Sequence, residues 1–274
     1  MSTENIRLFL LSLVMMTTLS LAPMLSHAAV FWDDEMEEGT TGFNYQPNYD
    51  KNTFTYDTNM KFSGSGSIRL NYSPECEPFA RGNVGCGGAN VRSIPLTDDV
   101  YRRVYFRMSG TGPDPSGTGS FMTSVLTCTK LLRTVSTGIS RQWWMIGCGG
   151  EKRWMITQEN TPPGGATNIW SSQTLADNRW YCLEAREKLS DPGVANGIVE
   201  SWIDGVLVAR KTDIMSRLAG NTNQWNGLGI FRQTGRGNIW WDRYAAGNTR
   251  IGCLGATSAS DTTRPAPPQG LVIR

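Results

Sequence analysis

The chain has 274 residues, a formal net charge of +2, and both charge signs mixed along its length. That balance gives no electrostatic case for nucleic acid or an anionic membrane surface as a partner. With 30 glycines, 10 tryptophans and few helix-like apolar repeats, the composition suits short strands joined by many turns, and the length suits one large all-β domain.

At the N-terminus, Arg7 precedes an apolar run from Leu8 to Leu21, and Ser26-His27-Ala28 forms a small-x-small cleavage pattern. Residues 1–28 therefore read as a secretory signal peptide. The run of about 15 residues is short of the ~20 that cross a bilayer, so no membrane span is expected after cleavage. No cysteine stands immediately after the cleavage point, which speaks against a lipid anchor. Cleavage after Ala28 removes His27, the only histidine. The expected location is secreted or periplasmic, where disulfides persist. Six cysteines remain: Cys76, Cys86, Cys128, Cys148, Cys182 and Cys253. Sequence leaves 15 pairings open. Proximity favours Cys76 with Cys86 across a Gly-rich loop and Cys128 with Cys148 on strands joined by one connection. Cys182 and Cys253 then pair by default. Neither a C-x-x-C pair nor a mature histidine supports a zinc site instead.

From residue 29 to about 256, turn signals recur at Gly64-Ser-Gly66, Gly87-Gly88, Gly110–Pro113, Gly149-Gly150, Pro162–Gly165, Pro192-Gly193, Asp204-Gly205 and Gly235–Gly237. Between them lie strand-like runs: Ser67–Tyr72, Val100–Met108, Phe121–Thr127, Gln142–Ile146, Trp154–Gln158, Trp180–Leu189, Ile198–Ile203, Val206–Thr212, Gly227–Phe231 and Asn238–Ala245. The pattern predicts a β-sandwich, with a short helical turn at Ile214–Leu218. Asp204-Gly205 predicts a two-residue type I′ hairpin, which needs positive φ at both positions. No internal repeat is visible, which argues against a propeller or solenoid. Residues 257–274 are Pro-rich and read as an extended tail without a core.

Alternation separates the two faces of each strand. In Val100–Met108, Val104, Phe106 and Met108 form an apolar face, opposite Tyr101, Arg103, Tyr105 and Arg107. In the next long strand Tyr181, Leu183, Ala185 and Leu189 share a face, interrupted by Glu187. Opposite them lie Trp180, Cys182, Glu184, Arg186 and Lys188. Glu200 and Trp202 share a face in the strand after. A solvent-facing sheet carrying Arg103, Tyr105, Arg107, Glu184, Arg186, Lys188, Glu200 and Trp202 has what a glycan requires. Rings cover the apolar sugar faces, and planar donors and carboxylates bind hydroxyls. The arginines would also pair with uronate or sulfate groups. The same residues could equally form cross-strand ion and aromatic pairs on a solvated sheet.

Trp180-x-x-x-Glu184, Lys188-x-x-x-Pro192-Gly193 and Gly197-x-x-x-x-Trp202-x-Asp204-Gly205 together resemble strands of concanavalin A-like jelly rolls, the fold of laminin-G-like lectin domains and several polysaccharide lyases. The resemblance runs from about Phe31 to about Gly252. It implies an all-β, concanavalin A-like jelly-roll sandwich of two antiparallel sheets, and a polysaccharide or other glycan as partner. It does not separate enzymes from binding modules.

Alginate-lyase-like members carry a G-x-Y-x-Q strand, which Gly229-Ile-Phe231-Arg-Gln233 resembles with phenylalanine at the tyrosine position. Proton abstraction beside a carboxylate needs a base, an acid and a positive group. Without histidine the best set for a lyase is Tyr105 with Arg103, Arg107 and Lys188. Glycosidases of this fold use spaced carboxylates on one strand. Asp33, Glu35 and Glu37 alternate suitably, but on the opening strand rather than mid-sheet. Relatives hold a structural calcium by acidic residues near the first and last strands, which Glu37 and Asp242 match; no other cofactor is implied. The expectation is a secreted, non-catalytic polysaccharide-binding module, with a uronate lyase as the alternative.

Overall fold

The computed structural model describes residues 30–37, 44–45, 54–71, 87–112, 127–146, 152–159, 168–233 and 236–255. The expected signal peptide, the Pro-rich tail, Cys76, Cys86 and Cys148 lie outside them, as does the side chain of Cys128. In chain order the strands are β1 (Val30–Asp34), β2 (Asn44–Tyr45), β3 (Phe54–Asp57), β4 (Ser67–Asn71), β5 (Gly87–Thr97), β6 (Asp99–Gly112), β7 (Thr127–Ser136), β8 (Ile139–Ile146), β9 (Arg153–Glu159), β10 (Ile169–Trp170), β11 (Trp180–Lys188), β12 (Gly197–Ile203), β13 (Val206–Ile214), β14 (Trp225–Gln233) and β15 (Arg236–Gly247). One sheet runs β13-β12-β11-β6-β15-β4-β3, with β1 also on β15; the other runs β10-β9-β8-β7-β14-β5-β2. Neighbouring strands are antiparallel, and two sheets closed on one core make a jelly-roll sandwich. Among the described residues no helix is long and apolar enough to cross a membrane.

The period-two pattern sorts the faces as the sequence predicts. Val100, Val104, Phe106 and Met108 of β6 point inward, with Tyr181, Leu183 and Ala185 of β11 and Val199 and Ile203 of β12 beside them. Asp204 and Gly205 have φ of 50° and 84°, the two left-handed positions a type I′ turn requires. Two local expectations are corrected. Gly87-Gly88 opens β5 instead of forming a turn, because both residues pair with the end of β14. The expected strand Phe121–Thr127 lies outside the described residues except for Thr127, which is in β7; further along, the polar wording of β7 hides inward Leu132 and Thr134. Ile214–Leu218 is not helical: the Ser216 and Arg217 amides donate to Ser190 Oγ, which holds the chain off a helical turn.

Glu187 interrupts the apolar face of β11 because it is the hub of an ionic cluster between the sheets. Arg102 of β6 and Arg141 of β8 both pair with its carboxylate, and all three side chains are at most 1% exposed. Thr134 Oγ1 and Trp143 Nε1 also donate to Glu187 Oε1, at 2.6 and 3.0 Å, and Trp225 Nε1 donates to its carbonyl at 2.9 Å. Arg141 further reaches Gln158 and Ser216. Burial, and then the charge of Arg102, push the Arg141 guanidinium down to about 9. The cluster ties β6 and β11 of one sheet to β7, β8 and β14 of the other.

Candidate functional site

All eight predicted sugar-contacting residues fall on one outward face, that of β6, β11 and β12. Register lines Cys182 up with Tyr105, and Glu184 with both Arg103 and Trp202. Seven of the eight side chains, all but Lys188, are however engaged with protein. Arg103 binds Asp33 at 2.9 Å. Arg107 donates to the Asn178 carbonyl. Arg186 grips Asp99 and reaches Glu200; the hydrogen bonds to Asp99 raise its already high pKa. Glu200 also pairs with Arg210. Lys188 is half-buried at the end of the row, in register with Asp99. These are the cross-strand pairs of a stabilised sheet.

The centre of this face is covered by residues 248–255, which leave β15 and cross β11 and β6 without strand pairing. Cys253 of this strap is bonded to Cys182, the pairing expected by default from sequence. Arg250 pairs with Glu184 at 2.8 Å and lies 4.5 Å from the centre of the Trp202 ring. The Gly252 and Leu254 amides donate to Glu184 and to the Tyr105 hydroxyl, respectively. Tyr105 also stacks on Phe62, ring centres 3.7 Å apart. The expectation that this row is solvent-facing is thus corrected at its centre, where Arg103, Tyr105 and Glu184 are 2–3% exposed. Burial raises the Tyr105 pKa. The strap residues and Phe62 were not foreseen. Pairing Cys253 with Cys182 was the one available signal, since it forces the chain across β11.

Glu37 and Asp242 come together at the first and last strands. Asp242 Oδ2 accepts the amides of Phe62 and Ser63, at 2.8 and 3.1 Å. Its Oδ1 is buried without a hydrogen-bond partner, as is Ser63 Oγ. Burial raises the Asp242 carboxyl to about 6, against the backbone hydrogen bonds from Ser63 and Phe62, and the charge of Glu37 adds to the rise. Burial also acts to raise Glu37, but hydrogen bonds from Ser65 and Tyr56 hold it below its usual range. An orphaned carboxylate oxygen beside a hydroxyl fits a hard cation. Among the described residues no three acidic, His or Cys side chains are placed to hold one metal ion, so such a cation would need carbonyl or water oxygens as well.

The carboxylates of the opening strand line a cleft of about 320 Å³ with Arg92. Asp34 is buried against Arg92, while Asp33 and Glu35 face Arg243. β1 pairs with β15 off the main strand path, so these carboxylates do not lie mid-sheet, as the sequence expects. The lyase-like half motif lies elsewhere. β14 lies between β7 and β5 inside the seven-stranded sheet, and inward Leu228 and Ile230 turn Gly227 and Gly229 to that sheet's outer side. A Cβ on Gly227 would meet Val135 and Val91 at 2.7 and 2.8 Å, so glycine lets these valines close over the strand. Gly229 stands opposite Arg133 of β7. The side chains of Phe231 and Gln233 lie outside the description. This motif and the Tyr105 row therefore belong to opposite sheets, and they cannot form one active site.

Neither a protein-family model nor a curated protein matches the chain. Solved structures do. An endo-β-1,4-glucuronan lyase from the fungus Trichoderma reesei aligns over 81% of this chain and 96% of its own, with a TM-score of 0.55 and 13% identity. The cellulose-induced protein Cip1 aligns over 81% and 99%, with a TM-score of 0.52 and 16% identity. The alginate lyase Aly36B aligns over 81% and 98%, with a TM-score of 0.50 and 10% identity. At these identities the likeness concerns the backbone: this chain has the concanavalin A-like jelly-roll fold that these structures share.

Proposed function

We propose that the protein is an exported polysaccharide-binding module of lectin type that does not cleave its ligand. The observation that carries this reading is the state of Tyr105. Its hydroxyl accepts the Leu254 amide, its ring is stacked on Phe62, and burial raises its pKa. A tyrosine that abstracts a proton needs an accessible hydroxyl with a pKa lowered toward the working pH. Likeness to structures named as glucuronan and alginate lyases supports a polysaccharide as the ligand class. Signal-directed export of residues 29–274 accords with the Cys182–Cys253 disulfide. The test is a glycan array run beside absorbance monitoring for 4,5-unsaturated uronates. Binding without product is expected on glucuronan and alginate; product release abolished by Tyr105→Phe would overturn the reading.

A uronate lyase is the second reading. It is favoured by Gly229 and Arg133, adjacent at the middle of the seven-stranded sheet, where a guanidinium could meet a uronate carboxylate. Product release that survives Tyr105→Phe but not Arg133→Ala would select it.

We also propose a structural calcium at Glu37 and Asp242, with no other cofactor. The support is the orphaned Asp242 Oδ1. Calcium at about a hundred times its Kd should raise the melting temperature by roughly 5 °C over a chelated sample, and Asp242→Asn should remove that response. An unchanged melting curve in calcium would dismiss the site.

A further inference from the structure

Arg250 is held as a bound ligand would be. Its guanidinium lies over the Trp202 indole at 4.5 Å and pairs with a carboxylate that is itself 2% exposed. The Gly252 amide donates to the second oxygen of that carboxylate, at 2.7 Å. Arg103, the neighbour of Glu184 on β6, is turned to Asp33 and does not take this role. A ring face beside a carboxylate is a cation-recognising arrangement. The segment that delivers the cation makes no strand pairing with the sheet; it is held by side chains and one disulfide.

We propose that residues 248–255 are the internal occupant of a cation-recognising sugar subsite formed by Glu184 and Trp202, and that an amino-sugar oligomer takes this subsite once the Cys182–Cys253 bond is opened. The proposal rests on the glycan-binding reading and names a ligand class and a control for it. What the strap covers can stand exposure. Glu184 sits on a sheet face, so its carboxylate meets water when Arg250 leaves, rather than being stranded in a dry core. A glucosamine unit brings both groups that Arg250 and the strap supply: an ammonium for Glu184, and a pyranose C–H face for the indole. Opening is a thiol–disulfide exchange. An external dithiol supplies two electrons and two protons, the Cys182–Cys253 bond breaks to two thiols, and the dithiol becomes a disulfide. Attack falls on the Cys253 sulfur, because Cys182 is only 3% exposed and Cys253 is half-buried.

The test titrates the full chain with a fully deacetylated glucosamine hexamer, following tryptophan fluorescence and calorimetry, with the N-acetylated hexamer as the neutral probe. The oxidised protein should not bind. Dithiothreitol-treated protein and the Cys182→Ala/Cys253→Ala variant should bind the amino hexamer. Adding Arg250→Ala should tighten binding by about tenfold or more, and Glu184→Gln in that background should abolish it. Arg250→Ala with the disulfide intact supplies a second route, should the cysteine variant fail to fold by circular dichroism. Equal binding by oxidised and unlocked forms, or equal binding of the neutral hexamer, would overturn the proposal. So would the absence of binding in every folded form. A glycan bound equally by all these variants would leave the proposed function standing and remove only this inference.

Discussion

Glu187→Gln should destabilise the protein by about 3–5 kcal/mol, the cost of removing one partner from a buried ion pair, and lower the melting temperature by roughly 10 °C or more. The reason is the charge count in the core. Arg102, Arg141 and Glu187 are all fully buried, so glutamine would leave two guanidinium groups facing each other without a counter-charge. The same count predicts an asymmetry. Arg141→Met leaves the neutral Arg102–Glu187 pair and should cost about 1 kcal/mol or less. Burial and the charge of Arg102 already oppose the charge of Arg141, as its pKa near 9 shows. Denaturant unfolding of the two variants decides the matter. An Arg141→Met variant less stable than Glu187→Gln would mean that hydrogen bonds to Gln158 and Ser216, not charge balance, hold the cluster together.

The second large effect concerns Tyr105. Truncation to alanine should cost about 3 kcal/mol, since a buried ring is lost from between Phe62 and the strap and the collapse of the site is incomplete. Tyr105→Phe should cost about 1 kcal/mol, because it removes the hydroxyl that accepts the Leu254 amide and donates to the Leu254 carbonyl while the ring stays. Alternation alone suggests the reverse, that Tyr105 lies outside the core and can be truncated at little expense. A loss well under 1 kcal/mol for Tyr105→Ala would show that the strap stands open in solution and that the ring is already hydrated.

Much of the architecture was legible in the chain, for physical reasons that are local. Side-chain alternation with period two put Val104, Phe106 and Met108 on the core face and Arg103, Tyr105 and Arg107 on the other. The Asp204-Gly205 pair announced its hairpin, because few other residue pairs tolerate two left-handed positions. Polar strands were the hardest to see. Among the described side chains β5 buries Ile94 and β7 buries Leu131, Leu132 and Thr134, set among glycine, arginine and serine positions that dilute the hydrophobic signal.

By itself, the sequence determined the fold class, the two faces of the β6, β11 and β12 strands, and the residue types available for chemistry. Each depends on neighbours along the chain. Tertiary structure alone decided what those faces meet. Glu187 reads as a break in an apolar pattern until Arg102 and Arg141 arrive from 85 and 46 residues away. Tyr105, Glu184 and Trp202 read as an open platform until the strap crosses them and Arg250 takes the carboxylate. Alternation tells which side of a sheet a residue faces. Whether that side meets water depends on a segment far along the chain, which no local period encodes.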